Sequence, residues 1–337
     1  MPATENAATK NQTSLTSIRD LVKEDFDAVD ALMFTEIASE IPLLNEITLH
    51  VVKSGGKRLR PLLLLLMNRL LGGSHEKRER HELAAIIEFI HTATLLHDDV
   101  IDESSKRRNQ PTANALWGDA ASVLAGDFLY SRAFQILARR NNIPVMTVLA
   151  NTTNRISEGE IQQLVNIGNN NLSERDYRLM IQRKTAELYS AATKIGAMLA
   201  THNDRHYCDA AAQYGLHLGI AFQMIDDLLD YTADSGLTGK NLGDDLAEGK
   251  VTLPLIYTLH HGTKQQQHVV RQAIKTQGRE AIEQVIDAII ASKGCEYTLN
   301  CAKQEAVKAE ESLKPLPKNI YHDALLNVCE FVVTRQY

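Results

Sequence analysis

No stretch of the 337 residues is apolar for long enough to span a bilayer. The most apolar run, "LRPLLLLLMNRLLGG" at 59–73, has about ten apolar residues broken by Asn68 and Arg69, against the roughly 20 a span requires. It predicts a buried helix of a globular protein. The four cysteines, Cys208, Cys295, Cys301 and Cys329, form no CxxC pair, so free thiols in a reducing, cytoplasmic setting are expected. The opening "MPATENAATKNQTSLTSIRD" has neither the apolar centre of a secretory signal nor the Arg-rich, acid-poor look of a transit peptide. It reads as a flexible tail over 1–19, without a lipid anchor motif. Basic charge is not in excess either: 36 Lys plus Arg stand against 42 Asp plus Glu. That balance argues against general binding of nucleic acid or anionic membrane, so any basic residues that matter must act locally. Strand-like alternation bounded by Asn-Gly or Asp-Gly is missing as well.

What is present is helical periodicity. Apolar residues recur at three and four in "HELAAIIEFIHTATLL", "AASVLAGDFLYSRAFQILARR", "AELYSAATKIGAMLA" and "REAIEQVIDAIIASKG". An all-α fold is expected, with breaks at Gly55-Gly56, Gly72-Gly73, Asn109 to Pro111, Asn169 to Asn171, Asp234 to Gly243 and Leu313 to Pro317. None is a low-complexity linker, and the charged motifs are spread over both halves. Such motifs serve one purpose only if they converge, so a single domain over 20–337 is expected.

Two of these motifs repeat one spacing. In "LLHDDVIDESSKRRNQPT", Asp98 and Asp102 lie one helical turn apart on one face, with Asp99 100° round from Asp98. The polar stretch ending in Asn-Gln-Pro should stop the helix just beyond, placing three carboxylates where the helix dipole is already negative. In "FQMIDDLLDYTADSGLTGK", Asp226, Asp227 and Asp230 repeat the pattern. Acidic runs are usually solvated helix ends. Here "TATLL" and "AFQMI" lead into them and would draw unpaired carboxylates partly into the core, which is costly unless a cation accompanies them. Oxygen-only donors on two facing sites point to Mg²⁺ shared with a phosphate-bearing ligand, whereas zinc would want His or Cys beside them.

Basic residues then mark where phosphate would go. "SGGKRLRP" carries Lys57 and Arg60, and "KRRNQPT" carries Arg107 and Arg108. Lys184 and Thr185 follow in "IQRKTAELYS", then Lys240 and Lys250 in "GLTGKNLGDDLAEGKVTLP". Each alone is an ordinary surface cation; together they suggest two anion sites.

The set "GGKRLRP", "LLHDDVIDESSKRR", "KTAEL", "FQMIDDLLDY" and "GKNLGDDLAEGKVTLP" resembles, in order and spacing, the motifs of the trans-prenyl diphosphate synthases, from about residue 20 onward. The resemblance implies an all-α helical bundle around a deep central cavity, a homodimer, and Mg²⁺-dependent condensation of isopentenyl diphosphate onto an allylic diphosphate. It implies that Asp98, Asp102 and Asp226 hold Mg²⁺, supported by Asp99, Asp227 and Asp230. Arg107, Lys184, Thr185, Gln223, Lys240 and Lys250 would surround the allylic diphosphate. Lys57, Arg60, His91 and Arg108 would bind isopentenyl diphosphate. Helical geometry agrees for His91, seven residues before Asp98 and about 10 Å below it on nearly the same face.

Ala93 and Thr94, just before the first motif, are small where short-chain members tend to carry an aromatic plug, so a long-chain member is expected, primed by farnesyl diphosphate and serving quinone side chains. About eight isoprene units would extend on the order of 30 to 40 Å, so the tail must stop deeper, with Phe134 and Ile136 as candidate floors. A terpene cyclase would need a different second metal motif and no "GGKRLRP". A silent subunit would normally have lost one of the Asp motifs or the paired arginines. A short-chain synthase is opposed by Ala93 and Thr94.

Overall fold

The computed structural model describes residues 15–73, 77–232, 242–277 and 281–335. Helices α1 (Lys23–Glu36), α2 (Pro42–Lys53), α3 (Leu59–Leu70) and α4 (Lys77–Ile101) lead to a two-residue β-ribbon, β1 (Lys106–Arg107) and β2 (Gln110–Pro111). Then come α5 (Ala113–Trp117), α6 (Asp119–Arg140), α7 (Ile143–Val165), α8 (Glu174–Ile181), a π-turn (Gln182–Ala186), α9 (Glu187–Thr201) and α10 (Arg205–Thr232). The C-terminal third holds α11 (Asp244–Ala247), α12 (Leu253–His261), α13 (Lys264–Thr276), α14 (Ile282–Ala291), α15 (Gly294–Leu313) and α16 (Ile320–Thr334). The fold is all-α, as the periodicity predicts.

Helix α3 is apolar all round and is correspondingly enclosed: Leu62 to Met67 are each fully buried. Among the described residues no helix is long and apolar enough to cross a membrane. Around α3 pack α4, α9 and α16, while α4 lies along α6, and α10 along α9 and α15. The apolar side chains form two clusters, one centred on α3, α4, α6 and α9, the other on α8, α12 to α14 and part of α15. Helix α10 enters both, giving Leu218 and Ala221 to the first and Met224, Ile225 and Leu228 to the second. Its 28 residues, at 1.5 Å each, reach about 42 Å. Both long helices, α4 and α10, carry an aspartate motif at their C-terminal ends.

The expected breaks at 55–56, 72–73, 169–171 and 313–317 fall between helices; most of Asp234 to Gly243 lies outside the described residues. Two features depart from the sequence reading. Residues 15–20 are helical, and Leu15, Ile18 and Val22 are buried against the first cluster. Their spacing of three and four is an apolar stripe, so packed chain begins inside the segment read as a tail. The break at 109–111 is a hairpin: Arg107 pairs with Gln110 across a two-residue loop whose members, Arg108 and Asn109, both have positive φ. That is the primed turn that matches strand twist, here made without glycine. The cysteines are free, and Cys208, Cys301 and Cys329 are buried.

Candidate active site

A cavity of about 700 Å³ opens between the two clusters, lined from α3, α4, the hairpin, α7, the π-turn, α10, the α11 region and the C-terminal Arg335. It has an acidic side and a basic side.

On the acidic side, Asp98 and Asp102 line the wall from the end of α4, and Asp226, Asp227 and Asp230 from α10. Two lysines tie the first pair to neighbouring glutamates. Lys184 reaches Asp98 at 3.2 Å and Glu160 at 2.6 Å; Lys250 reaches Asp102 and Glu248, each at 2.7 Å. Burial works against both ammonium charges, but the surrounding carboxylates hold both lysines above their ordinary pKa. The middle aspartate of each motif behaves differently from its neighbours. Asp99, 100° off the cavity-facing stripe, is buried behind the wall and takes Arg107 at 2.8 Å. Asp227, 4% exposed, accepts from Tyr177 Oη at 2.5 Å and Gln223 Nε2 at 2.7 Å. Burial, then Asp245, push Asp227 up to about 7 despite those bonds. Burial, then Asp98, likewise push Glu160 up to about 7 against the pull of Lys184. The acidic side therefore carries more negative charge than its own lysines neutralise.

The π-turn places Lys184 and Thr185. Two glycines let it approach its neighbours: a Cβ on Gly159 of α7 would come within 2.5 Å of the Lys184 backbone nitrogen, and one on Gly219 of α10 within 2.6 Å of Ala186 Cα. Helix widening of this kind frequently marks a functional site. Thr185 Oγ1 donates to Gln223 Oε1 at 2.8 Å, tying the turn to α10.

On the basic side stand Lys57, Arg60, His91, Arg108 and Arg335. Gly56 (φ +147) leaves space that Arg108 fills, since a Cβ there would lie 2.5 Å from the guanidinium. Arg60 lies over the Tyr189 ring at 4.4 Å, Lys57 over Phe331 at 5.2 Å and Arg335 over Phe222 at 3.7 Å, contacts that pre-orient cations. Burial, then Arg335, lower Lys57 to about 8. Burial, then Arg60 and Arg108, hold His91 well below its usual value, so the imidazole is neutral at pH 7. Burial, then Arg107, likewise lower Arg108, and cations crowded in this way want an anion.

The donors on the acidic side are carboxylate oxygens, which suit a hard divalent cation. Among the described residues no three His, Cys, Asp or Glu side chains are grouped so that they could hold a metal ion by themselves. That fits a cation held by one or two carboxylates and completed by ligand phosphates rather than one fully enclosed by protein.

The polyprenyl synthetase family model matches residues 41–291. The chain belongs to the polyprenyl synthetase family. It is a prenyltransferase, of a family that works with a divalent metal on isopentenyl and allylic diphosphates. This polyprenyl synthetase is 42% identical over 325 residues to the octaprenyl diphosphate synthase of Haemophilus influenzae, covering 96% of this chain and 98% of that one. It is 43% identical over 323 residues to the octaprenyl diphosphate synthase of Escherichia coli K12, covering 96% and 99%. Among solved structures, the polyprenyl synthase of Caulobacter crescentus CB15, complexed with calcium and isoprenyl diphosphate, superposes with a TM-score of 0.92 at 38% identity, covering 96% and 98%. A decaprenyl diphosphate synthase from Rhodobacter capsulatus gives 0.90 at 38% identity, covering 96% and 99%.

In this polyprenyl synthetase the wall collects Lys57, Arg60, His91, Thr94, Asp98, Asp102, Arg107, Arg108, Lys184, Thr185, Gln223, Asp226, Asp227, Asp230 and Lys250. Two expected residues stand back from it: Asp99, and Ala93, which is fully buried in the first cluster because it sits 100° round α4 from Thr94. Phe134 and Ile136 do not line the cavity either. Lys240 lies outside the described residues. Sequence reading missed Glu88, Glu160, Tyr177, Asp244, Asp245 and Arg335. The pair Asp244-Asp245 was within a quoted motif, and its acidity was the available signal; the others carry no local pattern.

Proposed function

We propose that the chain is a Mg²⁺-dependent long-chain trans-polyprenyl diphosphate synthase of the octaprenyl type, adding isopentenyl diphosphate repeatedly to an allylic primer such as farnesyl diphosphate. The observation that carries this reading is the division of one cavity into an under-neutralised acidic side and a crowded basic side, which meet where Arg335 reaches Asp226 at 3.4 Å, two anion sites facing one reaction space.

Asp98, Asp102 and Asp226 would hold Mg²⁺, which supplies positive charge to the diphosphate of the allylic substrate as it leaves. Lys184 and Lys250, already fixed beside those carboxylates, and Arg107 behind them add charge-assisted donors where negative charge develops. Lys57, Arg60, Arg108 and Arg335 would take the diphosphate of isopentenyl diphosphate. Neutral His91 can donate an N–H there without adding charge to an already cationic group. Ionisation gives an allylic carbocation, the double bond of isopentenyl diphosphate attacks it, and the released diphosphate takes the proton. Leu95, Leu172 and Phe222 line the space between and exclude water that would convert the cation to an alcohol.

Small Thr94 at the wall favours a product of about eight units, whose extended tail of on the order of 30 to 40 Å must leave the cavity along α4. The long product suits a quinone side chain, and the enzyme would act in the cytoplasm. Leu124 on α6 and Ile143, Ile161 and Val165 on α7 are more than half exposed, and burying them against a second copy supports a homodimer. The test is incubation with labelled isopentenyl diphosphate, farnesyl diphosphate and Mg²⁺, with an EDTA control, and sizing of the dephosphorylated products. A metal-dependent product near eight units is expected. Products of three or four units would overturn the chain-length reading, and no elongation would overturn the activity.

A further inference from the structure

Tyr177 of α8 is fully buried and belongs to no sequence motif assigned above. Its hydroxyl donates to Asp227 Oδ2 at 2.5 Å, a short bond between buried groups. Asp227 Oδ1 accepts from Gln223 Nε2 at 2.7 Å, and Gln223 Oε1 accepts from Thr185 Oγ1 at 2.8 Å. The chain of bonds has a direction. Tyr177 and Thr185 donate from the two ends, and Gln223 between them turns its amino group to Asp227 and its carbonyl to Thr185. With both oxygens held inside the protein, Asp227 is an anchor, whereas the adjacent Asp226 side chain is 47% exposed.

We infer that Tyr177 is a positioning residue for the leaving diphosphate: by holding Asp227 it sets Gln223, and through Gln223 it fixes Thr185 Oγ1 at the cavity wall beside Lys184. The inference rests on the reading of the acidic side as the allylic diphosphate site. A tyrosine serving packing alone would act differently, because loss of its hydroxyl would soften the fold without reaching Thr185.

The experiment compares Tyr177→Phe with Tyr214→Phe, whose buried hydroxyl donates to the Leu325 carbonyl at 2.9 Å and touches no cavity residue. Three quantities are read: kcat, KM for isopentenyl diphosphate, and calorimetric affinity for an unreactive allylic thiodiphosphate with Mg²⁺. Tyr177→Phe is expected to lower kcat by about 10- to 100-fold, the scale of a small misplacement of a reacting group. It should also weaken the analogue and leave the KM for isopentenyl diphosphate within about twofold, while Tyr214→Phe alters none of the three by more than that. Adding Tyr177→Phe to Thr185→Val should cause no further loss, because the two act as one unit. Gln223→Met, which breaks the middle link, should reproduce the Tyr177→Phe signature and serves if Tyr177→Phe does not fold. Additive losses, or a Tyr177→Phe enzyme indistinguishable from Tyr214→Phe while the wild type elongates normally, would overturn the inference alone. A wild type that neither elongates nor binds the analogue would overturn the site reading and the inference with it.

Discussion

Asp25 and Asp98 are both aspartates tied to cations, yet their surroundings are built to opposite ends. Asp25, beneath α3 and α4, has one oxygen on Arg80 (2.6 Å) and His81 (2.8 Å) and the other on Arg69 (2.7 Å). Burial pushes its carboxyl up, but the bonds from His81, Arg80 and Arg69 outweigh that and hold it well below the usual carboxylate range. Cations exceed carboxylates there, and nothing is left for a ligand. Around Asp98 the ratio is reversed: one lysine serves Asp98 and Glu160, another serves Asp102 and Glu248, and two carboxylates are driven toward neutral pH. A closed cluster holds the chain together; an open one costs stability that a bound cation and diphosphate recover.

Variants should separate the two regions. The largest effect belongs to Asp98→Ala and Asp226→Ala, expected to lower turnover by on the order of 1,000-fold or more in steady-state assays while the melting midpoint stays within a few degrees. Asp25→Asn should do the reverse. It strands Arg80, which is 1% exposed, and should cost about 3 to 5 kcal/mol in denaturant unfolding with kcat/KM of the folded fraction unchanged.

The regions should also differ in the sign of their pH dependence. The lowered pKa of Asp25 means its contribution is complete above the unfolded carboxylate value, about 3.9, and is lost as pH falls below it. Glu160 and Asp227, raised to about 7, bind more protons folded than unfolded between about 4 and 7, so their part of the stability declines as pH rises through that window. Melting midpoints from pH 3 to 8 should show both limbs, with Glu160→Gln flattening the second and Asp25→Asn the first. Smallest of all is Lys23→Ala, which breaks an ion pair whose side chains are 65% and 63% exposed. Neither midpoint nor activity should change measurably.

Much of this was legible in the sequence because it is local. Helical spacing fixed that Asp98 and Asp102 share a face, and the same 100° step that separates Asp99 from that face sends it to Arg107. By the same step Ala93 packs inward, so of the pair Ala93 and Thr94 the threonine lies at the wall. The hairpin at 106–111 escaped notice because its turn uses Arg108 and Asn109 at positive φ in place of glycine. Glu160 and Arg335 reach the cavity, and Tyr177 reaches Asp227 from behind its wall, through packing between segments far apart in the chain. Arg335, for instance, donates to the Phe222 carbonyl at 2.7 Å across 113 residues, and no spacing rule announces such a contact.

The most direct measurement is the shift in melting midpoint on adding Mg²⁺ with an unreactive allylic thiodiphosphate. Wild type and Asp25→Asn should rise by the same amount from their different baselines, while Asp98→Ala and Asp226→Ala should show little or no rise. Equal stabilisation of the Asp98 and Asp226 variants, or loss of the shift in Asp25→Asn, would contradict the division between a closed cluster that holds the fold and an open one that awaits its ligand.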